Sequence, residues 1–175
     1  MMEALMRKIL FATAVSVLLA GCNSGIGTRA SADFDPQEAA FVRAPGNVTI
    51  AGNISAAAEN GVEVSGANAV VRLIPVTAYA RDRFNTLYAG RSFAPLSAGS
   101  RVPPADPAYA QYSRTVKSDF QGNYKFDHVG PGRYYVSAQV SCPAAAKECA
   151  GGSVYNVVNV PAGPGGTVQL NLIGD

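Results

Sequence analysis

The chain has 175 residues, of which 48% are hydrophobic and 15% are charged, with a formal net charge of +2. This length and composition fit one modest domain with a single hydrophobic core. Because the basic residues are scattered singly, with no run that could follow a phosphate backbone, we expect no nucleic-acid partner.

The N-terminal segment has the parts of an export signal in the usual order. Arg7 and Lys8 precede an uncharged apolar run over residues 9–20. That run is about a dozen residues long, shorter than the roughly 20 residues of a membrane-spanning helix. It closes with Leu-Ala-Gly-Cys at residues 19–22, which resembles the lipobox of bacterial lipoproteins.

The lipobox resemblance implies that residues 1–21 are a signal peptide and that Cys22 carries a lipid anchor. Several acyl chains together would hold the protein at a membrane, since each buried methylene contributes about 0.8 kcal/mol. Asn23 follows the cysteine, and an Asp there would favour the inner membrane in the enterobacterial sorting rule. We therefore expect the protein to be located in the cell envelope, at the outer membrane. The alternative is an ordinary secretory signal with a chance cysteine.

Residues 22–45 show no periodic apolar pattern and are rich in small and acidic residues. We expect a flexible tether that lets a globular domain, residues 46–175, stand off the membrane. Within this segment Asp35 and Pro36 have the residue types that begin a short helix, as N-cap and first helical position.

From residue 47 onward, stretches rich in β-branched and aromatic residues alternate with Gly, Pro, Asn and Asp, which predicts an all-β domain. Seven strands with closely spaced turns favour two antiparallel sheets packed as a β-sandwich. The predicted strands are 48–54, 69–76, 112–118, 124–129, 133–140, 154–160 and 167–173.

The most distinctive local sequence is Ser-Asp-Phe-Gln-Gly-Asn-Tyr-Lys-Phe at 118–126, followed by Val-Gly-Pro-Gly-Arg-Tyr-Tyr-Val at 129–136. Together with Gly-Ala-Asn-Ala-Val-Val-Arg-Leu at 66–73, it resembles the carboxypeptidase regulatory-like domain, a transthyretin-like and immunoglobulin-like sandwich. The resemblance covers most of residues 47–173. In the carboxypeptidases this domain is an appendage without the zinc ligands, so the resemblance implies a non-catalytic module.

The same motif has a physical interpretation of its own. The side chain of Asp119 can cap a turn, and Gly122 can adopt the positive φ that closes a hairpin loop. Strand alternation then places Phe126 on the core face, and likewise Tyr134, Val136, Ala138 and Val140.

A calcium site is the alternative for this motif, because Asp119, Asn123 and Asp127 offer oxygen ligands in a short span. Calcium takes six to eight oxygens, and the dense Asp/Asn spacing and closing Glu of a calcium loop are missing from the sequence. A structural turn is therefore favoured, and no metal is expected.

Enzymatic activity is not predicted. His128 is the only histidine, and no serine lies in a Gly-x-Ser-x-Gly nucleophile elbow. Few acidic residues fall inside the predicted strands, so no carboxylate pair for glycoside hydrolysis is identifiable. We therefore also expect no cofactor.

A long insertion, residues 77–111, separates the second and third predicted strands, and insertions of this size are often functional. Arg and Tyr are common anchors of binding surfaces. We take as the candidate binding surface Tyr79, Arg83, Tyr88 and Tyr109.

The insertion also contains a helical signal. The spacing of Phe84, Leu87 and Tyr88, with Tyr79 and Arg83 before them, predicts a helical turn with an apolar stripe. Packing of these aromatics against the sandwich is favoured over contact with a partner.

Two cysteines, Cys142 and Cys149, remain once Cys22 is assigned to lipid. In an oxidising compartment we expect them to form a disulfide that closes a small loop. A metal site is the alternative, but this spacing without a nearby His offers too few soft ligands.

Two functions therefore stay open. The favoured one is a structural or protein-interaction module, anchored by lipid and holding an envelope protein partner. The alternative is a carbohydrate- or other ligand-binding module, since related sandwiches resemble starch-binding domains and exposed tyrosines such as Tyr88 or Tyr135 can stack on sugars. Flat sugar platforms often use Trp, and this chain has none.

Overall fold

The structure is a computed structural model that describes residues 32–57, 63–142 and 151–174, all within one compact unit. The predicted signal peptide, Cys22 and Cys149 lie outside the described residues. In the described part of the chain, no helix is long and apolar enough to cross a membrane.

The described residues form ten strands and two α-helices. The strands are β1 (Pro45–Ala57), β2 (Glu63–Ser65), β3 (Val70–Pro75), β4 (Phe93–Pro95), β5 (Arg114–Lys117), β6 (Asn123–Val129), β7 (Gly132–Val140), β8 (Gly152–Val160), β9 (Gly166–Gln169) and β10 (Leu172–Gly174). The helices are α1 (Pro36–Ala39) and α2 (Ala78–Tyr88), and short 3-10 helices cover Ala40–Arg43, Leu96–Arg101 and Tyr109–Tyr112.

The strands form two five-stranded sheets, which confirms the predicted β-sandwich. In the first sheet the long β1 is central and pairs with β6 and β9 along its first part and with β2 and β10 along its second. The second sheet has the order β4-β8-β7-β3-β5 and is antiparallel throughout. The first sheet differs from the prediction because β9 and β10 run parallel to β1.

Strand number also differs from the prediction. The segment predicted as a single strand, 167–173, is divided into β9 and β10 at Leu170, whose N–H donates to the carbonyl of Ala51 at 2.8 Å. Strands β2 and β4 are not predicted from the sequence, since three residues are too few to show a period of two.

The hydrophobic core lies between the two sheets, where the alternation placed it. Phe126 is 1% exposed, and Tyr134 and Val136 are fully buried. Tyr134 satisfies its hydroxyl by donating to the carbonyl of Gly130 at 2.9 Å. The predicted core faces of β6 and β7 are thereby confirmed.

The predicted turn before β6 is present. Gly122 has φ of 81°, and one carboxylate oxygen of Asp119 accepts the N–H groups of Gln121 at 2.9 Å and Asn123 at 2.8 Å. Asp127 lies away from this turn and accepts from the hydroxyl of Thr49 at 2.9 Å. The carboxylates are therefore used as structural hydrogen-bond acceptors.

The predicted tether, residues 22–45, includes residues that pack against the sandwich. Ala39 and Val42 are buried, and the ring of Phe41 lies 5.2 Å from that of Tyr134. These few apolar residues pack against the sandwich although they are too sparse to show a periodic pattern. The folded unit therefore includes residues 32–45, ahead of the predicted boundary.

Helix α1 begins as predicted, with a carboxylate oxygen of Asp35 accepting the N–H of Gln37 at 2.8 Å and Pro36 at the first helical position. The carboxylate of Glu38 accepts the N–H of Ala78 at 2.9 Å. This bond ties the N-terminal segment to the start of α2.

Candidate binding groove

The insertion between β3 and β5 covers part of the outer face of the second sheet and borders a groove of about 490 Å³. The floor of the groove comes from β3, β7 and β8, and its walls come from α2 and from residues 95–105. We call this feature the insertion groove. Three of the four residues of the predicted binding surface line it, namely Arg83, Tyr88 and Tyr109.

Helix α2, which forms one wall of the groove, has well-defined ends. The hydroxyl of Thr77 accepts the N–H of Ala80 at 3.1 Å as an N-cap. At the other end Ala89 adopts a left-handed conformation, with φ of 50°. Ala80, Phe84 and Tyr88 recur every four residues and are buried on one face. The predicted helical turn is thus confirmed, as a longer helix.

Aromatic rings attach α2 to the second sheet. The ring of Phe84 stacks on that of Tyr135, and the ring of Tyr88 lies 4.2 Å from that of Tyr155. The hydroxyl of Tyr88 shares a hydrogen bond of 2.6 Å with that of Ser153. Burial raises the pKa of Tyr88 well above its ordinary value. These rings mainly pack the insertion against the sandwich.

This packing corrects one prediction about sugar contact. Tyr88 is 2% exposed and Tyr135 is 8% exposed, so neither ring offers a free face on which a sugar could stack. The sequence predicts both rings to be exposed, because strand and helix periodicity does not reveal that α2 covers the outer face of the second sheet.

A second aromatic group fixes the other wall. The hydroxyl of Tyr79 accepts the N–H of Asp106 at 2.7 Å, and Arg83 donates to the carbonyl of Pro103 at 2.8 Å. The rings of Tyr79 and Tyr109 lie 5.1 Å apart, and burial raises the pKa of Tyr109 to about 12. Tyr79 and Arg83 therefore hold the Pro-rich segment over the sheet.

Polar side chains form the floor of the groove. Val71 and Leu73 face the core, so Arg72 between them faces outward. It is paired across the sheet with Ser137, and Gln139 is paired with Ser153. This row of polar residues is not predicted as a site from the sequence, because alternation shows that Arg72 points outward but not that a groove lies above it.

The charged side chains that line the groove, among the described residues, are both basic. Arg72 and Arg83 contribute positive charge, and no acidic residue lines the groove within the described part of the chain. No cluster of His, Cys, Asp and Glu that could hold a metal ion occurs among the described residues.

Cys142 is partly buried against the core just after β7. Its predicted disulfide partner, Cys149, lies outside the described residues. The disulfide therefore stays a prediction.

The fold and the groove define a two-sheet β-sandwich with an insertion that encloses a groove on the outer face of one sheet. No family model and no curated protein matches the chain. The chain is similar in structure to a proposed carbohydrate-binding protein from Pseudomonas aeruginosa, with a TM-score of 0.62 and 28% sequence identity. The match covers 81% of this chain and 98% of that one.

Proposed function

We propose that this protein is a non-catalytic ligand-binding module of the cell envelope and that its insertion groove binds carbohydrate. The observation that carries the proposal is the groove itself, which combines apolar walls with a hydrogen-bonding floor. Small-molecule sites have this composition, with a few placed polar groups among apolar side chains.

The lining offers both kinds of contact that a sugar needs. Leu87, Pro95 and Val102 provide apolar surface for the C–H faces of a sugar ring. Gln139 and Ser153 provide donors and acceptors for its hydroxyl groups. The walls are held in place by buried aromatic contacts, so the groove is largely formed before a ligand arrives.

Two likenesses support the proposal. The Pseudomonas aeruginosa protein of similar structure is described as a proposed carbohydrate-binding protein, and it aligns along nearly its whole length. The resemblance to carboxypeptidase regulatory-like domains supports a module without catalysis. Related sandwiches resemble starch-binding domains, which supports a carbohydrate ligand. Both likenesses support a ligand-binding role over a purely structural one.

The anchor completes the proposal. A lipid on Cys22 would hold the groove at the envelope, where cell-surface and periplasmic polysaccharides are found. Of the predicted tether, residues 32–45 belong to the folded unit.

A blocking substitution tests the site. A Cβ atom added at Gly99, which borders the groove, would meet no atom within 4 Å. The matched control is Gly166 on β9, which does not line the groove and where an added Cβ atom likewise meets no atom within 4 Å. We expect Gly99→Tyr to weaken binding at least about tenfold and Gly166→Tyr to leave it unchanged.

The measurement is a glycan array with the full chain in mild detergent, followed by calorimetry on each sugar that binds. Equal binding by Gly99→Tyr and Gly166→Tyr would place the sugar site elsewhere. An array with no bound glycan would contradict the proposed function.

A protein-interaction role is the second candidate, favoured by one observation. Strand β5 ends the second sheet, and within the described residues it pairs only with β3. An open strand edge can accept a strand from a partner. Mild crosslinking in envelope fractions followed by mass spectrometry tests this role, and crosslinks from β5 to one partner would support it.

A further inference from the structure

The charge of the insertion groove narrows the ligand class. We infer that the groove selects an acidic sugar, one whose carboxylate binds between the Arg72 and Arg83 guanidinium groups. This inference rests on the proposed carbohydrate-binding function and goes beyond it by naming the chemical group that is recognised.

The first observation is that Arg72 lies in the groove without a partner among the described residues. Its side chain is half-buried on the floor of the groove, and within the described part of the chain it has no hydrogen-bond or ion-pair partner. Its strand neighbours on the outer face, Ser137 and Thr115, are uncharged. A half-buried guanidinium with all its donors available is suited to an anionic ligand.

The second observation is that, among the described residues, protein contacts hold Arg83 through only one of its nitrogen atoms. Its Nη1 atom donates to the carbonyl of Pro103 at 2.8 Å and to the hydroxyl of Tyr79 at 3.4 Å. Both bonds use the same nitrogen, and within the described residues Nε and Nη2 have no hydrogen-bond partner. The guanidinium is therefore held in place by protein contacts while part of its donor fork remains open for a ligand.

Among the described residues, no carboxylate forms an ion pair with Arg72 or Arg83. Asp106 accepts the N–H of Ala108 at 2.8 Å, and Asp82 accepts the N–H of Ala32 at 2.9 Å. Neither carboxylate lines the groove. The positive charge of the lining is thus left for the ligand to balance.

The geometry of a carboxylate suits this arrangement. Guanidinium groups bind carboxylates through two parallel hydrogen bonds, which are shorter and stronger than bonds between neutral groups. A neutral sugar would leave the arginine donors to water or to single hydroxyls. An acidic sugar is therefore expected to bind more tightly than its neutral counterpart.

The test uses galacturonate and glucuronate oligosaccharides, each compared with its methyl ester, which removes the charge and keeps the ring. Binding to the full chain is measured by calorimetry at low and high salt. We expect the acids to bind about 10- to 100-fold more tightly than the esters and to weaken with added salt.

Two charge-matched variants assign the effect. Arg72→Gln is expected to remove most of the preference for acid over ester. Arg133→Gln removes the same charge from an exposed position on β7 that does not line the groove, and it is expected to keep the preference. Urea unfolding of both variants checks that the fold is intact.

The outcomes separate the two proposals. Equal binding of acids and esters, unchanged by Arg72→Gln, would overturn the acidic-sugar inference and leave carbohydrate binding in place. A preference that Arg133→Gln removes as fully as Arg72→Gln would overturn it as well, because the charge effect would then be general. No binding of any glycan, acidic or neutral, would overturn both proposals.

Discussion

The ring of Phe84 lies flat on the ring of Tyr135, with their centres 3.9 Å apart and 9° between their planes. Phe84 comes from α2 in the insertion, whereas Tyr135 lies on the outer face of β7. This contact docks the helix on the sheet. The wall of the groove is therefore set by a contact between two residues that neither helix nor strand periodicity pairs.

Phe84→Ala is expected to lower the free energy of unfolding by about 3–5 kcal/mol, because it leaves a cavity beneath α2. Phe84 is 7% exposed, whereas Phe120, the matched control, is 82% exposed. Phe120→Ala should change stability by no more than about 0.5 kcal/mol. Urea unfolding measures both values, and equal effects would show that the helix is not docked by this ring.

Phe126→Ala tests the central core rather than the insertion. Its ring is buried between the sheets, so we expect a loss of about 3–5 kcal/mol in the free energy of unfolding. The neighbouring Lys125, exposed on the opposite face of β6, is the control, and Lys125→Ala should cost little. An unchanged urea midpoint for Phe126→Ala would mean that β6 faces the other way.

The Asp119 turn predicts a dependence of stability on pH. Hydrogen bonds from the side chain and backbone of Asn123, and from the backbone of Gln121, hold the pKa of the Asp119 carboxyl below its ordinary value. A group of this kind stabilises the fold above its unfolded-chain pKa of about 3.9, and the contribution is lost as pH falls through the lower folded value.

Asp119→Asn should therefore lower the urea midpoint at neutral pH, and its difference from the unaltered protein should shrink as the pH falls below about 4. Urea titrations across this range measure the difference. A difference that stays constant with pH would show that the charge of Asp119 does not contribute.

Loss of the predicted disulfide should lower the free energy of unfolding by about 2–3 kcal/mol, on the chain-entropy model for a small loop. Cys142→Ser and Cys149→Ser should each have this effect, and reductant should reproduce it in the unaltered protein. Mass spectrometry of non-reduced peptides identifies the bond directly. Two free thiols in protein from the native envelope would disprove the pairing.

Cys22→Ser tests the anchor. We expect the variant to incorporate no labelled palmitate and to leave the membrane fraction, because the thioether to diacylglycerol needs the thiol. Since Cys22 lies ahead of the folded unit, sugar binding by the insertion groove should be unaffected. A variant that stays lipidated and membrane-bound would contradict the lipobox interpretation.

The sequence alone was enough for the parts of the fold that depend on local pattern. Alternation over residues 124–129 and 133–140 identified the buried faces of β6 and β7, and the types of Asp119 and Gly122 predicted their turn. These features follow from strand geometry and backbone preference within a few residues. The helical signal around Phe84 was local in the same way.

Only the tertiary structure decided what the outer faces do. It buried Tyr88 of α2 against β8 and Tyr135 of β7 against α2. It also brought the segment around Phe34 onto the aromatic rings of the insertion and left Arg72 facing a groove. Such contacts join residues that are far apart in the chain. The sequence of each segment shows only the periodicity of that segment and not which other segment it packs against. The sequence by itself therefore determined a β-sandwich with a distinctive insertion, whereas the position and the charge of the groove depended on which face the insertion covers.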